Sequence, residues 1–236
     1  MANIIEKIRK AINEPYRRID KVNRQCIPLC LLSHTTSPGI YALGLSCYGE
    51  MYFGFEDAQD ALLASVKEGT AEDDPGQNFI RSLKSLGNLQ LSRSKRLDDD
   101  LSFLCLFRRD HILLTAADSH ITSIRKYIQQ RIMEKQHRLL AYAFVMYSAL
   151  FNGGKVVREM LVQQTDHDFW GLPDLPEAHA DLKSFPWPLS FWDVENIQVG
   201  FKELIIEAGR SLGKDQQEGV NKALVIFSLC SKLQTR

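Results

Sequence analysis

Leu139 to Leu161 reads LLAYAFVMYSALFNGGKVVREML. The stretch up to Phe151 is an almost wholly apolar helical run, which meets Asn152-Gly153-Gly154 and then continues helically. Each glycine inside a helix costs about 1 kcal/mol relative to alanine. In return, a missing Cβ lets another backbone or a flat ligand approach where a side chain would collide. Something therefore lies against this helix. Close helix packing and ligand contact both satisfy the pattern.

Ala141 to Val156 resembles the distal helix of the heme oxygenases, whose glycine-rich kink lies over the heme plane. The resemblance covers most of the chain. Ile5 to Asp20 is similar to the family's first helix, and Leu91 to Leu104 (LSRSKRLDDDLSFL) to a middle segment with an acidic turn. Phe201 to Leu204 (FKEL) resembles the start of the penultimate helix, and Glu218 to Leu233 the closing helix. It implies an all-α fold: one multi-helical bundle domain over residues 1–236.

The same resemblance removes the family's chemistry. At the family's iron-binding histidine stands Tyr16, and no histidine precedes His34. Leu150 matches the distal aspartate that organises water, and Met146 matches the arginine one turn earlier. Of the four basic positions that hold heme propionates, Arg9 and Lys202 remain, whereas Asn13 and Ile206 replace the other two. Heme is not expected as a cofactor, nor is any other.

Lys plus Arg and Asp plus Glu each total 29, so the formal net charge is zero and no general attraction to nucleic acid or anionic membrane is expected. A hydrophobic content of 44% suffices for a sizeable core. Five cysteines, Cys26, Cys30, Cys47, Cys105 and Cys230, are odd in number and scattered, unlike a disulfide framework. Cys26 and Cys30 could share a helix face, yet nothing completes a zinc site. The N-terminus lacks the apolar core of a secretory signal. The longest apolar run is shorter than the roughly 20 residues that span a bilayer. A cytoplasmic protein is expected, with no membrane and no nucleic-acid partner.

Helical periodicity dominates elsewhere. Ile5, Ile8, Ile12, Ile19 and Val22 form one apolar stripe, interrupted by Pro15, which predicts a kink or restart capped by Asn13 or Glu14. Ser37 and Pro38 predict the start of a second helix, whose Tyr41, Leu45, Tyr48, Tyr52 and Phe55 form an aromatic stripe. Further helices are expected at 89–107, 121–134, 138–162, 192–212 and 216–233. Residues 163–193 form an irregular loop with all three tryptophans, Trp170, Trp187 and Trp192, which either caps the core or closes as a lid over a ligand. Glu134 and His137 have the Glu-x-x-His spacing of a dimetal site, but no late histidine set accompanies them, so no metal is expected.

What remains is a heme-sized cavity that has become more apolar. Substrate-binding residues are expected to be Phe144, Met146, Tyr147, Leu150, Asn152, Gly153 and Gly154, with Arg9 and Ile206 near the mouth. Tyr16 stands opposite, and Tyr16, Tyr142 or Lys202 could donate a catalytic hydrogen bond to a carbonyl. Such a pocket suits a hydrophobic small molecule. The leading reading is a cofactor-free cyclase or isomerase acting on a polyene, terpenoid or polyketide-like substrate. The alternatives are a heme protein or heme oxygenase that ligates iron without histidine, and a non-catalytic ligand-binding protein.

Overall fold

The computed structural model describes residues 4–65, 79, 84, 91–104, 111–163, 167–170, 189–192, 198–210 and 212. The expected closing helix at 216–233, Trp187 and most of the 163–193 loop lie outside the described residues.

Every described element is helical. α1 spans Ile4–Cys26 and runs into a 3₁₀ turn at Ile27–Cys30, followed by α2 at Gly39–Ala64. α3 is Ser94–Leu104 and α4 is His111–Glu134. α5 (Arg138–Ala149), a π-helical segment (Leu150–Gly154) and α6 (Lys155–Gln163) form one interrupted helix. The short α7 (His167–Trp170), a 3₁₀ turn (Ser190–Trp192) and α8 (Gln198–Arg210) follow.

Several boundaries differ from those read in the sequence. α1 neither stops nor restarts at Pro15, which lies inside the continuous helix. A helix-interior proline costs about 3 kcal/mol. Here Ile4, Ile5, Ile8, Ile12 and Ile19 are all buried on one face, and fully burying each such side chain contributes roughly 1.5–3 kcal/mol. That stripe outweighs the lost hydrogen bond. α2 begins one residue later than expected, with Pro38 at the N-cap, although the Gly39 amide still donates to Ser37 Oγ at 3.5 Å. α4 begins at His111, ten residues before the expected start, and α8 begins at Gln198, so Trp192 lies in the preceding 3₁₀ turn.

The most extensive helix pairing is α2 with α4. It depends on Gly54, where a Cβ would come within 2.7 Å of the Arg125 carbonyl oxygen. α1 packs on α8 through a similar approach: a Cβ on Gly209 would lie 2.5 Å from Ile4 Cγ2. Around these crossings the described core is continuous, from Ile8 on α1 through Tyr52 and Phe55 on α2 to Phe201 and Ile205 on α8. No described helix is long and apolar enough to cross a membrane.

Two buried carboxylates join distant parts of the chain. Glu56 on α2 accepts the backbone amides of Arg93 and Ser94, both at 2.8 Å, and the hydroxyls of Ser92 at 2.7 Å and Ser94 at 2.5 Å. A carboxylate from one helix thus caps the N-terminus of another, satisfying amides that α3 cannot satisfy itself and meeting the positive end of its dipole. Asp100, fully buried on α3, accepts Ser190 Oγ at 2.5 Å, the Ser190 amide at 3.2 Å and the Phe191 amide at 2.8 Å. That carboxylate holds the 189–192 segment in place.

Candidate functional site

The interruption at Leu150–Gly154 is where the sequence placed its glycine pair, and neither glycine needs a left-handed backbone. The Leu150 amide is shared between Met146 O and Tyr147 O, a bifurcated bond at the end of α5. Tyr52 Oη on α2 donates to the same Met146 carbonyl at 2.9 Å. This bond supports an acceptor at the point where the helix widens.

The two glycines do different jobs. A Cβ on Gly154 would touch the Trp192 ring at 3.5 Å and Leu150 Cδ2 at 3.7 Å. Gly154 therefore packs against the segment that Asp100 anchors. Among the described residues, a Cβ on Gly153 would have only the Tyr16 hydroxyl within 4 Å, at 3.9 Å. Among the described residues the two glycines thus differ: Gly154 is covered by the Trp192 ring, while Gly153 faces the Tyr16 hydroxyl across the gap between α1 and the π-helical segment.

Tyr16 is half-buried on α1. Burial raises the pKa of its phenol, with Asp20 one turn on adding to the rise and Arg24 opposing it. Arg24 is itself paired with Asp20 at 2.9 Å. Among the described residues, nothing hydrogen-bonds the Tyr16 hydroxyl. The slot thus presents a neutral O–H donor opposite a bare helix backbone.

The other expected site residues are distributed differently. Tyr142 is buried, and its electrostatic neighbours are Tyr127, Arg131 and Arg138. It belongs to the α4–α5 corner, and burial pushes its pKa up to about 12. It does not join Tyr16 in a catalytic group. Phe144 stacks on Phe201 with ring centroids 6.5 Å apart, so it serves the α5–α8 contact. Tyr147 points to α2, donating to Glu56 at 3.0 Å and meeting the Phe55 ring edge-on. Met146 and Leu150 are both 2% exposed, so they belong to the packed core of the helix and not to an open lining. Asn152 is exposed and turned back on its own helix, donating to Ser148 O at 2.8 Å. Lys202 and Ile206 are half-buried on α8, and Arg9 is exposed on α1.

Glu134 is bound by Arg131 at 3.1 Å and Arg138 at 3.4 Å, while His137 Nε2 is buried with no hydrogen-bond partner among the described residues. No group of three potential metal ligands occurs among the described residues. Cys30 Sγ donates to the Cys26 carbonyl at 3.6 Å, and both thiols are free.

The ends of the long loop meet at Tyr41 on α2. Trp170 packs edge-on against its ring at a 5.3 Å centroid distance, and Trp192 Nε1 donates to its hydroxyl at 2.7 Å. Burial raises the Tyr41 pKa, so this hydroxyl remains neutral. Trp170 is therefore part of the core, and Trp192 packs against it half-buried.

Sequence reasoning missed Glu56, Tyr52, Tyr41 and Asp100 as the residues that position this site. For Glu56 one signal existed: it interrupts the apolar run MYFGF on a helix otherwise suited to burial. Its partners lie more than thirty residues away, beyond the reach of local pattern.

No family model matches the sequence, and no curated protein matches it. Solved structures do match in shape. Heme oxygenase 2 from Chlamydomonas reinhardtii, determined without heme, superimposes with a TM-score of 0.70 at 15% identity, covering 99% of this chain and 97% of that one. Heme oxygenase from Leptospira interrogans gives 0.64 at 17% identity, covering 99% and 98%. Heme oxygenase-1 from the cyanobacterium Synechocystis, in complex with heme, gives 0.59 at 15% identity, covering 99% and 91%. The chain has the heme oxygenase fold.

The described residues do not fit the heme that this fold implies. The Tyr16 oxygen lies 3.9 Å from the Cβ position of Gly153, which puts it within about 5.5 Å of that α-carbon. A macrocycle lying unbonded between them would need about 3.5 Å of clearance on each face, about 7 Å in all. Only an iron–phenolate bond would shorten that stack. The burial and the Asp20 carboxylate that raise the Tyr16 pKa disfavour the phenolate such a bond requires.

Proposed function

We propose that this chain is a heme oxygenase-fold protein that has left iron chemistry and binds a hydrophobic small molecule in the slot between α1 and the π-helical break. The observation that carries the reading is that, among the described residues, the Tyr16 hydroxyl has no hydrogen-bond partner and faces a Gly153 whose Cβ position meets nothing else within 4 Å. A helix glycine without a packing role is a standing destabilisation of about 1 kcal/mol, which an occasional occupant explains. Buried Met146 and Leu150 make the core beside it apolar.

The finer reading is a cofactor-free cyclase or isomerase. Support comes from what faces the slot: one neutral hydroxyl and a bare helix backbone, with Tyr142 drawn off to the α4–α5 corner. A reaction run there depends on holding the reacting atoms of one molecule together, which contributes about 7–11 kcal/mol in favourable cases. Tyr16 would donate a hydrogen bond to a carbonyl or hydroxyl oxygen of the substrate and polarise it. Lys202 and Arg9, on the helices that pack at this side of the bundle, would attract an anionic end.

Extraction of the purified protein with organic solvent, followed by mass spectrometry, tests the binding reading. An apolar compound recovered in stoichiometric amount supports it, and protoporphyrin recovered in that amount contradicts it. Incubating that compound with fresh protein separates catalyst from binder, since only a catalyst yields a new product.

A further inference from the structure

The slot's selectivity resides in a single side chain. Gly153 keeps the distal backbone bare, as a flat ligand would require, yet the space in front of it is taken by the Tyr16 hydroxyl, which among the described residues is the one group within 4 Å of its Cβ position. We propose that Tyr16 is the specificity-determining residue of the slot, a plug that excludes planar macrocycles and admits a narrow, non-planar apolar molecule lying beside the phenol and offering it one oxygen acceptor.

Two independent observations carry this. The first is steric: the gap of about 5.5 Å or less between the Tyr16 oxygen and Gly153 Cα is too small for anything unbonded to pass between them. The second is chemical. The hydroxyl has no hydrogen-bond partner among the described residues and is only half-buried, so its O–H is open to a bound acceptor as it is to water. An acceptor on a bound molecule would complete it. The fold around the plug is held independently of it. Met146 O is supported by Tyr52, Tyr147 by Glu56, and Gly154 by the Trp192 segment that Asp100 anchors. Removing the Tyr16 side chain should therefore leave the slot standing and open.

The ligand class named here rests on the binding reading above, but the plug can be tested separately with hemin as the probe. Hemin is titrated into the native protein, Tyr16→Phe, Tyr16→Gly and Tyr16→Ala, with and without millimolar imidazole, and the Soret band is followed. The expected result has three parts. Native protein and Tyr16→Phe show no saturable one-to-one transition, because the ring blocks the slot with or without its hydroxyl. Tyr16→Gly and Tyr16→Ala bind hemin one-to-one, at least about tenfold more tightly than the native chain. Imidazole then shifts their Soret band by occupying the vacated axial position.

If Tyr16→Gly and Tyr16→Ala both keep the native circular dichroism spectrum yet bind hemin no better than the native protein, the plug is overturned while the non-heme reading stands. If the native protein binds hemin one-to-one and Tyr16→Phe loses it, Tyr16 is an iron ligand, and both the plug and the non-heme reading fall. If the native protein and Tyr16→Phe both bind hemin one-to-one, the ring does not block the slot, and the plug and the non-heme reading fall together.

Discussion

Replacing Gly153 and Gly54 by alanine makes the same chemical change at two helical glycines and should move stability in opposite directions. In a helix interior, alanine is favoured over glycine by about 1 kcal/mol. Among the described residues, the added methyl at Gly153 meets only the Tyr16 hydroxyl at 3.9 Å, an ordinary contact, so most of that gain should survive. At Gly54 the methyl would stand 2.7 Å from Arg125 O and 3.0 Å from Arg125 Cα. Those are backbone atoms of α4 and cannot turn aside, so α2 and α4 must separate. Overpacking of this kind costs about 1–3 kcal/mol, which removes the propensity gain and more. For a chain of this size, 1 kcal/mol corresponds to about 2–4 °C in Tm. Gly153→Ala should raise Tm by roughly one to three degrees, and Gly54→Ala should lower it by up to about six. Thermal melts by circular dichroism, backed by urea midpoints, measure both. The methyl at 153 should at the same time weaken retention of the co-purifying small molecule. A Gly153→Ala protein destabilised as much as Gly54→Ala would show that Gly153 serves packing, and the slot reading would fail with it.

Other consequences follow from the buried carboxylates and the corner pair. Glu56→Ala leaves the Arg93 and Ser94 amides and the Tyr147 hydroxyl without their acceptor, and should destabilise by about 1–3 kcal/mol in urea unfolding. The Glu134→Gln, His137→Ala double change should alter stability by no more than about 1 kcal/mol and leave ligand retention unchanged, because the Glu134 pairs are partly exposed and His137 Nε2 has no hydrogen-bond partner among the described residues. Burial raises the Asp100 pKa from 3.8 to about 6, although the Ser190 and Phe191 donors pull it down. Because the raised value belongs to the folded chain, its contribution is fully present below about pH 4 and is lost as pH rises to about 6. The stability difference between native protein and Asp100→Asn should therefore shrink between those pH values, which paired melts would show. Trp192→Phe removes the donor to Tyr41 and should cost about 1 kcal/mol by the same melts.

The order of helices was legible because amphipathic stripes such as Ile5, Ile8, Ile12 and Ile19 read directly as buried faces, and all four are buried. The confrontation of Tyr16 with Gly153 was legible too, through the resemblance that aligned both. Pro15 misled because local propensity weighs a single residue, whereas the helix is decided by its whole packed face. The directions of Phe144 and Tyr147 were hidden for a different reason. An all-apolar helix carries no stripe to say which side faces a slot, and only Glu56 and Phe201, distant in sequence, turn these rings toward the core. Asp100 stood in plain view in the acidic run DDD, and its spacing from Leu97 and Leu104 puts it on the buried face that Asp98 and Asp99 avoid, but no local pattern names its partners Ser190 and Phe191. The bulk that would discriminate in the slot accordingly belongs at position 153. Tryptophan at Met146 or Leu150 would overpack a wall already closed to solvent.

The central claim is that the slot between Tyr16 and Gly153 takes no heme, and a hemin titration of the native protein followed at the Soret band tests it most directly. The account predicts weak, non-saturating absorbance that Tyr16→Phe reproduces. A sharp one-to-one transition with the charge-transfer absorbance of an iron–phenolate, abolished in Tyr16→Phe, would contradict it.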